Sequence, residues 1–168
     1  MGHNASTEPL LMRWAELCAD PYWDNVPAKI ELNGRGVIEM SPANNRHALM
    51  QASLAHALQL GLAGGRALVE CSVLTSDGVR VPDVAWASDA FLAQHAGTTP
   101  FPLAPELCIE VRSPSNTAAE MAQKIELFLE AGAAEVWIVG VDGVAEMHGA
   151  TGRLTASRFT VAMPRPVP

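Results

Sequence analysis

Apolar residues recur at helical spacing in four stretches of the chain and gather in short runs between them. Over Thr7–Ala19, Leu10, Leu11, Trp14, Leu17 and Cys18 share one helical face and Pro21 lies beyond the end, which predicts a first helix. Lys29–Leu32 and Val37–Met40 read as strands joined by Asn33-Gly34-Arg35-Gly36, a strong hairpin signal. Asn44–Leu62 predicts a long helix, with Leu49, Met50, Leu54, Leu58 and Leu62 on one stripe and Gly64-Gly65 as its stop. The centre is strand-rich. Ala67–Leu74 and Val79–Trp86 flank Ser76-Asp77-Gly78 as a second hairpin. A short helix over Ser88–His95, a proline-bearing loop over Gly97–Pro105 and a compact strand over Glu106–Val111 follow. Thr117–Ala131 predicts the last helix, and Glu135–Val139, Ala145–His148 and Phe159–Ala162 predict the closing strands. The order describes an α/β (α+β) fold, a mixed central sheet flanked by helices.

Composition narrows the picture. A chain of 168 residues suits one domain, here 1–168 with a proline-rich tail over 163–168, and 49% hydrophobic residues suffice for a core. No apolar run approaches the ~18 residues of a membrane span. The first six residues lack a basic region followed by an apolar one, so a cytoplasmic protein is expected. Cys18, Cys71 and Cys108 have no paired spacing and read as buried thiols. The net charge of -7 argues against gripping duplex DNA through a broad basic face. Any nucleic-acid role then rests on a local site or on pairing of subunits. Lysine occurs only at Lys29 and Lys124 against nine arginines, so each lysine is a candidate for chemistry that arginine cannot do.

Two carboxylates stand in otherwise apolar strands: Asp83 in Val81-Pro82-Asp83-Val84-Ala85-Trp86, and Glu110 in Leu107-Cys108-Ile109-Glu110-Val111. A charge in such a run is costly unless it is paired, metal-bound or at a strand end. Either could face solvent from a half-exposed strand. Together they suit a hard cation such as Mg2+, which takes one or two carboxylates plus water. Lys124 falls about 40° from Phe128, at the edge of the arc of Met121, Ala122, Ile125, Phe128 and Leu129. Its stem can lie on the core while its ammonium reaches the sheet's end. Alternatively it pairs with Glu120 one turn earlier, and Thr117-Ala118-Ala119-Glu120 is in any case a capping box.

The ordered set Arg80-Val81-Pro82-Asp83, Glu106-Leu107-Cys108-Ile109-Glu110-Val111-Arg112-Ser113-Pro114-Ser115, Lys124 and Ala131-Gly132-Ala133-Ala134-Glu135-Val136-Trp137-Ile138-Val139 resembles the Uma-two family of restriction endonucleases. That family is a branch of the PD-(D/E)XK nuclease-like superfamily. The resemblance extends to Glu31-Leu32-Asn33-Gly34, to Glu39-Met40-Ser41-Pro42 and to His47, and so covers about 29–139. It implies a restriction-endonuclease-like core with Asp83 and Glu110 as ligands of Mg2+ or Mn2+. The superfamily's lysine two residues after the glutamate is Arg112 here, and the resemblance implies that Lys124 takes its place. Arg112, Glu39 and His47 are implied as supporting residues, although Glu39 reads equally as a solvated carboxylate and His47 as a solvated or core histidine. Phe128 stands where the family usually has tyrosine, and Gly140 replaces an aspartate.

The expectation is a metal-dependent endonuclease that hydrolyses DNA phosphodiester bonds with Asp83, Glu110 and Lys124. The rival is a catalytically idle relative that keeps the fold as a binding module. Trp137 and its apolar neighbours suggest a sheet edge or face through which a homodimer could form.

Overall fold

The computed structural model describes residues 7–167; the expectation drawn from the first six residues lies outside them. The helices follow the periodic stretches: α1 (Glu8–Ala19), α2 (Asn45–Gly61), α3 (Asp89–His95) and α4 (Ala118–Glu130). Their starts obey local chemistry. Asn44 accepts from the backbone of Arg46 and His47 ahead of α2, and Ser88 accepts from Phe91 ahead of α3. Thr117 and Glu120 form the reciprocal capping box of α4.

The first hairpin is β1 (Ala28–Leu32) with β2 (Ile38–Pro42), paired from Ala28–Pro42 to Leu32–Ile38. Its turn is wider than Asn-Gly alone implies. Asn33 Oδ1 accepts from Arg35 and Val37, and Gly36 rather than Gly34 takes the left-handed conformation.

The central hairpin divides between two sheets. Ala67–Leu74, expected as one strand, becomes β3 (Gly65–Val69) and β4 (Val73–Thr75), and Val79–Trp86 becomes β5 (Gly78–Arg80) and β6 (Val84–Ser88). Both breaks have local causes. Glu70 adopts a φ of 54°, which interrupts extension on one side, and Pro82 lacks a ladder donor on the other. The tight end of the hairpin, Thr75 facing Gly78, requires glycine, because a Cβ at Gly78 would sit 2.0 Å from the Leu32 carbonyl oxygen.

The remaining strands are β7 (Leu107–Val111), β8 (Glu135–Val139), β9 (Ala145–Gly149) and the short β10 (Gly152–Arg153). One sheet has the order β10-β9-β8-β7-β6-β3, mixed because β7 and β8 run parallel; the other has the antiparallel order β2-β1-β5-β4. The mixed α/β class is as expected, with a second sheet in addition.

Alternation along β7 sends Leu107, Ile109 and Val111 into a core with Met50, Leu54 and Leu58 of α2, while Cys108 packs with Phe128 of α4. Helices thus cover both faces, which explains why β7 and β8 are buried throughout. A third cluster joins Trp14 and Leu17 of α1 to Leu32, Val79 and Val81.

Trp137 is not at an edge. It lies on an interior strand, 1% exposed, with its indole N–H donated to Glu135. Phe159–Ala162 forms no strand, because the side chains of Glu135 and Ser157 take the backbone N–H groups of Arg158 and Phe159. The expected tail is packed at its described end: Val167 is buried, its N–H bonded to Val141 and its carbonyl to Arg46.

Candidate active site

The junction between the two sheets gathers the charged residues. Residue parity places Glu110 on the same face of β7 as Cys108, toward α4, where Lys124 lies at the edge of the buried helical arc. Asp83 ends the Val81-Pro82-Asp83 passage from β5 to β6. Its Oδ2 accepts the Val111 backbone N–H at 2.7 Å, which ties it to the end of β7. Lys29 and Glu31 alternate onto one face of β1 and close the site from the second sheet. Glu31 Oε1 accepts the Val81 N–H at 2.7 Å and so anchors that passage.

Asp83 and Glu110 are almost wholly buried, 1% and 3% exposed. The Lys29 ammonium bridges them, 2.6 Å from Asp83 Oδ1 and 3.4 Å from Glu110 Oε2. Lys124 Nζ takes the other oxygen of Glu110 at 3.1 Å and Glu31 Oε2 at 3.3 Å. No Lys124–Glu120 ion pair forms at contact distance; Glu120 serves the cap. His47 Nε2 lies 3.2 Å from Asp83 Oδ1. Gln51 donates to the Asp83 carbonyl at 2.9 Å.

These contacts set the proton affinities. Burial pushes Glu110 up, and although Lys124 and Lys29 oppose it, Glu110 rises to about 7. Burial also penalises the Asp83 carboxylate, but the His47 hydrogen bond and the Lys29 charge outweigh it and hold Asp83 below the usual range. Burial lowers Lys29, yet Glu110, Asp83 and Glu31 together raise it. The Asp83 hydrogen bond raises His47 against burial.

A pH dependence follows for the metal-free protein. Between about pH 4.5 and 7 folded Glu110 keeps a proton that the unfolded chain has released, so its contribution to stability is lost as pH rises. His47 acts in the same direction above the ordinary histidine range. Urea unfolding in chelator is expected to give a lower midpoint at pH 8 than at pH 5.5, with a smaller drop in Glu110→Gln. An equal drop in that variant would assign the dependence elsewhere.

Comparison with known proteins gives the family and the fold. The Uma2 family, described as "Putative restriction endonuclease", matches residues 14–146. The chain belongs to the Uma2 family. No curated protein matches it. Among solved structures, the chain is similar to "a putative nuclease belonging to DUF820 from Anabaena variabilis ATCC 29413", at 16% identity over 80% of this chain and 75% of that one, with a TM-score of 0.62. That likeness concerns the fold.

Within this Uma2 chain, Asp83, Glu110 and Lys124 meet in one cluster, and His47 reaches it through Asp83. Arg112 does not share the site. The strand ends at Val111, and Arg112 is half exposed with its guanidinium 3.2 Å from Glu146 of β9. Glu39 sits at the rim, where it accepts from Arg80 and Asn33 rather than joining the cluster. It helps line an open cavity of about 520 Å³ together with Glu31, Asp77, Arg80, Gln123 and Lys124. Lys29 and Glu31 were absent from the expected catalytic set. The scarcity of lysine marked Lys29, but nothing local in β1 announces that it meets β6 and β7.

Among the described residues no three His, Cys, Asp or Glu side chains form a metal-holding group. The donor chemistry nonetheless fits a divalent cation. Asp83 Oδ1 and Glu110 Oε2, from separate segments, converge on one point, now held by the Lys29 nitrogen.

Proposed function

We propose that the protein is a metal-dependent endonuclease that hydrolyses phosphodiester bonds in DNA, with Asp83 and Glu110 holding Mg2+ or Mn2+. The observation that carries this reading is the convergence of two buried carboxylates on one cation position, beside Lys124, which itself lines the neighbouring cavity. When bound, the cation supplies Lewis-acid polarisation of the phosphate and a more acidic water.

The chain's own residues supply the rest. The Val111 N–H and His47 fix Asp83, so its free lone pairs keep one direction. Lys124, steadied by Glu31 and Glu110, orients the attacking water or offsets charge on the phosphoryl oxygens in the transition state. Glu31 holds both Lys124 and the Val81 backbone, and thereby links the two sheets across the site. Arg80 is buried at the cavity wall and neutralised by Asp77 and Glu39, so Lys124 is the cation of this cavity that remains nearest the proposed chemistry.

Plasmid nicking by the purified protein, with and without Mn2+, tests the reaction. Nicking that requires Mn2+ supports it, and intact plasmid beside demonstrable Mn2+ binding favours the idle binding module. The free state of Cys18, Cys71 and Cys108 supports a cytoplasmic setting. No helix among the described residues is long and apolar enough to cross a membrane.

A two-fold pair of chains would supply one centre for each strand of a duplex. Light scattering at micromolar concentration is then expected near twice the 17.8 kDa chain mass. A value near the single-chain mass counts against pairing.

A further inference from the structure

Lys29 lies between the carboxylate cluster and a cavity. On one side its ammonium occupies the point shared by Asp83 and Glu110; on the other Lys29 helps line a cavity of about 240 Å³ with Asp24, Glu70, Trp14 and Trp23. We propose that Lys29 is a built-in competitor for the metal position, and that a divalent cation binds Asp83 and Glu110 by displacing its ammonium toward Glu70 and Asp24. The proposal rests on the metal-dependent reading above and concerns how that site is regulated.

Three physical arguments carry it. First, the ammonium and a divalent ion need the same carboxylate oxygens. Nζ is only 2.6 Å from Asp83 Oδ1, so both cannot occupy that point.

Second, charge balance favours exchange over addition. With Glu110 ionised, as a bound cation requires, and His47 neutral, Asp83, Glu110 and Glu31 carry three negative charges against Lys29 and Lys124. A divalent ion with Lys124 alone neutralises the three carboxylates, whereas keeping both lysines leaves one positive charge in excess. In a buried site that excess is costly.

Third, the displaced side chain has somewhere to go. A lysine stem is long and flexible, and the adjoining cavity offers the carboxylates of Glu70 and Asp24. Among the described residues the Glu70 side chain accepts through Oε1 from Gln51 at 3.2 Å, so its other carboxylate oxygen remains to receive the ammonium.

An arrangement of this kind keeps the two carboxylates folded and neutralised without metal. It makes the centre respond to cation concentration, because each binding event must first remove an internal partner.

Calorimetric titration of the full chain with Mn2+ tests the exchange. Lys29→Met and Lys29→Gln are expected to bind Mn2+ at least about tenfold more tightly than wild type, since the competing state is gone. Equal or weaker binding in both, with binding still abolished by Asp83→Asn, would overturn the exchange and leave the metal site standing. Failure of wild type and both Lys29 variants to bind Mn2+ would overturn the two together.

A second measurement reads the metal response on the wild-type chain. With two lysines in the chain, [13Cε]lysine labelling yields two signals, which Lys29→Arg assigns. Saturating Mg2+ is expected to move the Lys29 signal. A Lys29 signal that stays in place while that of Lys124 shifts would overturn the exchange, and stillness of both would overturn the metal site as well.

Discussion

Asp83→Asn and Glu110→Gln are expected to abolish stabilisation by Mn2+ and to lower Mn2+-dependent cleavage by on the order of a thousandfold. A ligand at a hundred times its dissociation constant contributes about 2.7 kcal/mol. At roughly 2–4 °C per kcal/mol for a chain of this size, wild type should gain about 5–10 °C in Tm. Neither variant should gain measurably. The two differ without metal. Asp83 accepts the Val111 N–H and both His47 and Lys29, so neutralising it weakens the join between β6 and β7. Glu110 already favours its proton, so a neutral glutamine there costs less. Asp83→Asn should therefore be the less stable of the two in chelator. Differential scanning fluorimetry with and without Mn2+ checks the whole pattern. A full metal shift in both variants would move the site elsewhere.

Lys124→Ala is expected to lose cleavage by at least about a hundredfold, the scale of one transition-state contact. It should also lose about 1–3 kcal/mol of metal-free stability, because Glu110 and Glu31 each lose a partner at a mostly buried position. Lys124→Arg separates the two effects. Its fork can still span Glu110 and Glu31 and keep most of the stability, yet its rigid plane and fixed charge suit a water poorly. Cleavage should fall in the arginine variant while the urea midpoint stays near wild type. Cleavage at the wild-type rate in Lys124→Ala would remove lysine from the mechanism. Arg112 is a poor substitute, being half exposed and paired with Glu146.

Local patterns were legible where their cause is local. Thr117 and Glu120 announced the start of α4 because a capping box closes within one turn. Asp83 and Glu110 stood out because charge within an apolar strand demands a partner. The limits of the strands were less legible. Val79–Trp86 looks like one extended run, and only the passage through Val81, Pro82 and Asp83 reveals two strands in different sheets.

By itself the sequence determined the α/β class and the helix positions and singled out Asp83 and Glu110, since periodicity, capping and the cost of desolvation act between near neighbours. Tertiary structure alone decided the partners. Sequence spacing allowed Lys124 to pair with Glu120, and only the packing of α4 on β7 turns it to Glu110. Lys29 and Glu31 belong to a different sheet from Glu110, and no local pattern measures the gap of 81 residues between Lys29 and Glu110. The two sheets meet because the central hairpin bends at Glu70 and Pro82. That bend brings a second lysine onto the cation position, where electrostatics over a few ångströms governs the chemistry.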